Sequence, residues 1–314
     1  MQSNPAPAPH KRNKRIRSLL LALLIIAALS LYVFNASRPG RSVEGCLQGC
    51  AVAGERKPGP LRLVSLNMLH GFPSFSDLPL RLALIAGEVQ RLDADIVLLQ
   101  EVPWTMRTGN GAKDLAGQLG YNYVYYRANG NRHLIFFEEG EAILSRFPLK
   151  DVAFTELQPR MGFFESRVSM SVSAITPLGK LSLYVVHLTD KDPRVREGQV
   201  ASLKQFVETH TDGHAVVAGD FNSREDSPSI KGLSADWNDT FRTLHPADPG
   251  LTCCIDDLHA GPQEPLEERI DYIFLLPKES QVVSARKVFD QPYRVDSGWQ
   301  WASDHIGLFI EIKP

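Results

Sequence analysis

Asp95-Ile96-Val97-Leu98-Leu99-Gln100-Glu101 is a short, unbroken apolar run closed by a carboxylate. A run of this length reads as a central strand buried on both faces, and it stops at a group that needs solvent, a partner or a metal. The same arrangement recurs along residues 61–310. Ser65-Leu66-Asn67 closes the strand pattern that starts at Leu61, His187 follows Leu183-Tyr184-Val185-Val186, and Gly219-Asp220-Phe221-Asn222 closes the run from 214. Arg269-Ile270-Asp271-Tyr272 and Ser303-Asp304-His305 adjoin two further strand candidates, 270–276 and 306–312. These six signatures, Leu99-Gln100-Glu101 included, bring oxygen and imidazole groups but no cysteine. Such a donor set suits a hard divalent cation and acid–base histidines acting on a phosphate ester.

Outward from these strands, Leu80, Leu84, Ile85 and Val89 recur at helical spacing over 79–92. Val195, Val200, Leu203, Phe206 and Val207 do so over 193–210. Residues 142–144, 167–175 and 181–187 are additional strand candidates. Alternating strands and helices over 61–314, with no internal repeat and no low-complexity tract, predict one large α/β domain, a pattern that two facing sheets flanked by helices fit.

The signatures and their order resemble the endonuclease/exonuclease/phosphatase superfamily, from about Leu61 to Ile312. Ala142-Ile143-Leu144-Ser145-Arg146-Phe147-Pro148 and Glu165-Ser166-Arg167, which lie between them, strengthen the match. The resemblance implies a four-layered α/β (α+β) sandwich and a Mg²⁺- or Mn²⁺-dependent phosphoric ester hydrolase. Glu101 is the leading metal ligand, with Asn67 ligating the same ion or orienting Glu101, and Asp304 ligating it or polarising the site. His305 is the leading catalytic histidine, held by Asp271, and His187 is the second, read as an acid. Asp220 and Asn222 share a face if the backbone stays extended, so Asp220 can act on the attacking water while Asn222 donates to the phosphate. Arg167 is either an ion-pair former or a phosphate ligand, and Glu141 either reaches a catalytic histidine or faces solvent. His187 also argues against AP-site repair, since AP endonucleases resembling this chain carry Asn there. The remaining histidines, His70 among them, read as surface or loop residues. The loop from Gly250 to Glu268 is expected to border the cleft and set substrate choice.

The N-terminus has a different character. Five of the 34 basic residues precede residue 36 with no acidic residue among them, leaving 29 basic against 36 acidic, a net of −7. An acidic domain of that kind has no electrostatic driver for tight non-specific duplex binding. Residues 18–34 carry no charge and are at the short limit for a bilayer span. The expected organisation is a basic cytosolic tail (1–17), a transmembrane signal anchor (18–34), a flexible Gly/Pro-bearing linker (35–60) and the catalytic domain (61–314). The basic side would stay in the cytosol and the domain would be exported; a cleaved signal peptide is the alternative. Cys46, Cys50, Cys253 and Cys254 then face an oxidising compartment, with local pairing, bridges between the two loops and free thiols all open. The substrate is a phosphate ester, either nucleic acid or a phospholipid headgroup. Trp299-Gln300-Trp301 is placed either to dip into lipid or to pack at the cleft. The sequence implies no protein partner.

Overall fold

The apolar run that ends at Glu101 lies in the middle of the larger of two sheets. The computed structural model describes residues 10–52, 56, 58–177 and 179–313. The chain runs α1 (His10–Ala36), β1 (Glu44–Cys46), β2 (Leu61–Asn67), α2 (Leu78–Arg91), β3 (Ile96–Thr105), β4 (Gly109–Asn110), α3 (Gly111–Leu119), β5 (Asn122–Asn131) and β6 (Phe137–Ser145). It continues through β7 (Leu149–Glu156), β8 (Val168–Thr176), β9 (Gly179–His187), α4 (Pro193–His210), β10 (Ala215–Asp220), α5 (Pro228–Asp236), β11 (Asn238–Asp239) and α6 (Thr240–Leu244). It ends with β12 (Asp271–Leu276), β13 (Val282–Val288), β14 (Tyr293–Val295), β15 (Gly298–Gln300) and β16 (Gly307–Ile312).

One sheet has the order β1-β5-β6-β3-β2-β16-β13 with β4 paired to β3, and the other β11-β12-β10-β9-β8-β7. Leu63, Ile96, Leu98 and Ile143 of the first sheet meet Val172, Leu183, Val185 and Val216 of the second in a shared core. The outer face of the first sheet packs on α2 and α3, and that of the second on α4 and α5. Four layers result, as expected, because strands covered on both faces must be apolar at nearly every position. Within each sheet one pair is parallel: β2 with β3, bridged by α2, and β9 with β10, bridged by α4. A parallel pair aligns its carboxyl ends, so Asn67 and Glu101 leave one sheet near where His187 and Asp220 leave the other.

Gly219 of β10 pairs with Val186 of β9. It has φ +155°, and a Cβ there would stand 1.8 Å from the Val186 carbonyl oxygen. Gly219→Ala is expected to cost roughly 3 kcal/mol of stability, read as a lowered urea midpoint; an unchanged midpoint would show that the strands can part.

In the N-terminal part, α1 runs over His10–Ala36, and its apolar span Ile16–Ala36, 21 residues, takes in the expected 18–34. Residues 1–9 of the expected tail lie outside the described residues. The 35–60 segment is not a free linker throughout: β1 pairs with β5, Leu149 N donates to the Leu47 carbonyl, and Gly40 N donates to the Arg127 carbonyl. The backbone of that segment completes the exposed edge of the sheet, a stronger demand than its Gly and Pro content suggests. Both cysteine pairs are local, Cys46–Cys50 and Cys253–Cys254.

Beside β1, the buried Glu138 accepts from Arg127 Nη1 at 2.8 Å and from Arg132 Nε at 2.8 Å. Burial pushes its carboxyl upward, but the Arg132 and Arg127 bonds outweigh this and hold it below the ordinary range. A depressed carboxylate contributes stability above its unfolded pKa and loses it as pH falls through the native one. Glu138→Gln should therefore destabilise at pH 7 by roughly 3 kcal/mol, with the difference from the parent fading toward pH 3 in urea melts.

Candidate active site

Glu101 reaches the cleft through a bulge. The β3–β6 register slips between Leu99 and Val102, and Glu101 takes φ +54°, which turns its side chain out of the pleat. Asn67, at the end of β2, donates through Nδ2 to Glu101 Oε1 at 3.2 Å and across the sheets to Asp220 Oδ2 at 3.0 Å. Its Oδ1 accepts from Leu69 N at 3.1 Å, so the amide is committed on both sides. His70 N donates to Glu101 Oε2 at 3.1 Å, and its ring nitrogen Nε2 stands 3.5 Å from the same oxygen. Burial acts to raise the Glu101 carboxyl, yet the charge of His70 and these bonds bring it down to about 2.

In the second sheet Asp220 sits in register with His187 on one side and Asp271 on the other. His187 Nε2 is 3.4 Å from Asp220 Oδ2 and 3.1 Å from Asn222 Nδ2, while Arg167 Nη1 lies 2.9 Å from each ring nitrogen. Burial, and then the Arg167 charge, lower the His187 pKa well below the usual imidazole range. Asn222 does not face the site by strand alternation. It has φ +46°, its backbone N–H donates to Asp220 Oδ1 at 2.8 Å, and its Nδ2 donates to the Leu188 carbonyl at 3.0 Å. The extended Asp-x-Asn geometry is thus replaced by a tight turn that aims both side chains into the cleft.

His305 completes the group from the loop before β16. Its Nδ1 meets Asp271 Oδ2 at 2.9 Å, and its Nε2 stands 3.8 Å from Asp220 Oδ2. Burial would lower this imidazole, but the charge and hydrogen bond of Asp271, followed by Asp220 and Asp304, hold it well above the usual range. Burial and the Asp271 charge raise the Asp220 carboxyl, and burial raises that of Asp304. Ligand atoms of Asp220, Asp271 and His305 lie within 4.8 Å of one another, close enough to hold a cation. Glu141 is buried, its Oε2 has no hydrogen-bond partner, and burial and then Glu139 push its carboxyl well above the usual range.

Arg167 makes ion pairs as well as its contact with His187: Nε lies 3.2 Å from Glu165 Oε1 and Nη2 3.5 Å from Asp190 Oδ1. Trp301 is buried against Ile255 and Ile306, with Nε1 donating to the Ala260 carbonyl, so it does not dip into lipid. The apolar neighbours claim that ring.

Sequence reasoning passed over three contributors. His70 was read as a loop residue, and only its fold-borne neighbour Glu101 marks it out. Arg81 is fully buried and donates to the carbonyls of Met68 (2.7 Å), Leu69 (2.9 Å) and Ala302 (3.3 Å), tying the loop after Asn67 to the one before Asp304. A charge inside the Leu78, Leu82, Ile85 stripe was its available signal. Thr252 Oγ1 accepts from Asp271 N at 3.2 Å, and next to it Cys253 Sγ lies 3.7 Å from His305 Nε2.

The comparisons bear on the family and the fold. The model of the Endonuclease/Exonuclease/phosphatase family matches residues 64–305, which takes in every side chain of the site. No curated protein matches the chain significantly. Among solved structures, an endonuclease/exonuclease/phosphatase family protein from Bacteroides thetaiotaomicron superposes with a TM-score of 0.65 at 20% identity, covering 82% of this chain and 96% of its own. A mannosyl-6-phosphatase from Bacteroides thetaiotaomicron VPI-5482 gives 0.64 at 20% identity, covering 80% and 99%. The human Nocturnin catalytic domain with bound sulfate gives 0.59 at 21% identity, covering 80% and 93%. At such identities these neighbours share the fold, while the family model reaches from the core of β2 to His305. The chain belongs to the endonuclease/exonuclease/phosphatase family.

Proposed function

We propose that the chain is a divalent-metal-dependent hydrolase of phosphate esters, anchored in a membrane by α1 with its domain on the exported side. Members of the family hydrolyse phosphate esters and typically use a divalent metal. The observation that carries the reading is the convergence of Glu101, Asp220, Asp304, Asp271 and His305 at the strand ends of both sheets. The donors fit a hard cation. They are oxygen-rich, Asp220, Asp271 and His305 are buried while Glu101 and Asp304 are half-buried, and burial pushes Asp220 and Asp304 toward their neutral forms, which a cation would oppose. Glu101 and Asp304 would hold a Mg²⁺ or Mn²⁺, with Asn67 orienting Glu101 because its amide is already engaged. When bound, the ion would neutralise phosphoryl charge and acidify a water.

The chain's own residues do the rest. Asp220 orients the attacking water and takes its proton. His305, kept cationic by Asp271, delivers charge and a proton to the ester. Asn222 donates to a phosphoryl oxygen. His187, kept neutral, accepts or donates a hydrogen bond there rather than supplying the acid. Arg167 positions His187.

Within phosphate esters, the net acidity of the domain weighs against nucleic acid, and the apolar α1 favours a substrate presented at a membrane. The test is a hydrolysis panel of the purified full chain on bis-p-nitrophenyl phosphate, plasmid DNA, RNA, sphingomyelin vesicles and inositol phosphates, with Mg²⁺, Mn²⁺ or Ca²⁺. Activity abolished by EDTA and restored by Mg²⁺ is expected; activity indifferent to EDTA would overturn the metal reading. Retention in membranes after carbonate washing supports the anchor, and recovery of a soluble chain starting near residue 36 would replace it with a signal peptide.

A further inference from the structure

The last turns of α1 do not swing free of the domain. Tyr32 Oη donates to the Leu134 carbonyl at 3.0 Å, and Asn131 Nδ2 donates to the Asn35 carbonyl at 2.9 Å. Ser37 Oγ donates to the Phe164 carbonyl at 3.0 Å and accepts from Gly130 N at 3.0 Å. Phe34 packs on Phe163 with ring centroids 5.8 Å apart, and Phe163 meets Phe164 edge-on. Two loops, residues 131–136 and 161–164, therefore flank the foot of the helix. Both carry aromatic rings that the domain leaves open: Phe136 is 55% exposed, Phe163 48% and Phe164 56%. Phe34, Phe163 and Phe164, each about half exposed and each in contact with the next, form an apolar patch rather than scattered surface, and Phe136 stands open in the other loop.

The position of the patch follows from the helix. Twenty-one residues span about 30 Å, the thickness of a bilayer's hydrocarbon core. Tyr32 lies four residues before the end of that span, about 6 Å along the axis. A loop bonded to Tyr32 must then sit at the level of the boundary between acyl chains and headgroups, the depth that aromatic side chains favour. Cations stand at the same level. Arg38 and Arg41 follow the helix directly, and neither makes an ion pair among the described residues. Arg38 lines a groove at the helix foot with Phe34, Tyr126, Phe163 and the Arg160–Glu156 ion pair, whose charges offset each other at 2.7 Å and leave Arg38 as the cation of the groove without an ion pair among the described residues.

We propose that loops 131–136 and 161–164, with Arg38 and Arg41, form a membrane-contact face that beds into the headgroup layer of a bilayer containing anionic phospholipid. The face rests on the reading of α1 as a retained anchor. It would fix the orientation of the domain, which a tether alone would leave free. Both loops run straight into the walls of the site. Phe137 stacks on Phe72 at 4.6 Å beside His70, and Arg167, three residues beyond Phe164, lies against His187. One rim of the cleft is thereby held at the bilayer surface.

The test uses the full chain in liposomes of phosphatidylcholine and phosphatidylglycerol, with brominated lipid as quencher. Phe164→Trp should add emission over the parent chain that the brominated lipid quenches by at least half. Glu279→Trp, beside β13 at the opposite edge of the sheet, should add emission that is not quenched. Arg38→Gln with Arg41→Gln should remove the dependence of Phe164→Trp quenching on phosphatidylglycerol. A chain that floats with the vesicles while Phe164→Trp stays unquenched overturns the contact face and leaves the anchor standing. A chain that fails to float overturns both.

Discussion

Glu101→Gln is expected to lower turnover of a phosphate diester by at least about 10³-fold, a loss of ~4 kcal/mol of transition-state stabilisation, without unfolding the domain. The bulge that delivers Glu101 is set by backbone pairing, and the amide isostere keeps the size of the side chain while its single oxygen accepts from either Asn67 or His70 N, not both. What it removes is a carboxylate charge held ionised down to about 2. Thermal melts should differ from the parent by only a few degrees, and the Mg²⁺ concentration for half-maximal activity should rise at least tenfold. A rate within threefold of the parent would remove Glu101 from the metal site. A parent-like Mg²⁺ titration with a crippled rate would leave it a role on the substrate instead.

His305→Ala is expected to abolish most hydrolysis at every pH, by about 10³-fold or more, and Asp271→Asn to lose somewhat less while changing the pH profile. The direction follows from the shift. His305 is held well above the usual imidazole range by Asp271, so the protonated form persists through neutral pH and activity falls only as pH rises through that raised value. Asp271→Asn removes the largest upward influence and leaves burial, which favours the neutral ring, opposed only by the weaker charges of Asp220 and Asp304. The alkaline limb of the pH–rate profile should then move to lower pH. An alkaline limb that stays in place would disconnect His305 from the acid role. His187 starts neutral, so His187→Ala should reduce hydrolysis without moving that limb.

The neutral His187 shows how far sequence reasoning carries. The apolar strand before it announced a histidine at a buried strand end, and the partner signatures announced a phosphate-ester site. Its protonation state depends on burial and then on Arg167, 20 residues away in the chain and just before the neighbouring strand β8, a contact no local pattern contains. Asn222 is similar. The Asp-x-Asn spacing was legible, whereas the left-handed turn that aims Asn222 belongs to the meeting of β10 with the loop after it.

Sequence alone determined that the main strands are covered on both faces and flanked by helices, because such strands must be apolar at nearly every position and the flanking helices on one stripe, and the resemblance of its signatures implied the layers. Residues 96–99 and 215–218 could hardly be read otherwise. It also determined the apolar span near the N-terminus and the chemical type of the site, since isolated polar groups at the ends of such runs are costly unless they have work to do. Tertiary structure alone decided the rest. β5 and β7 escaped sequence reading because Asn, Arg and Lys interrupt their patterns, and their places are set by pairing with β6 and β8. β1 escaped because three residues acquire strand geometry only from the edge they complete. Arg81, His70 and the aromatic collar at the foot of α1 likewise exist only through long-range contacts. A side chain's role is fixed by the field and the partners around it, and those come from segments distant in the chain.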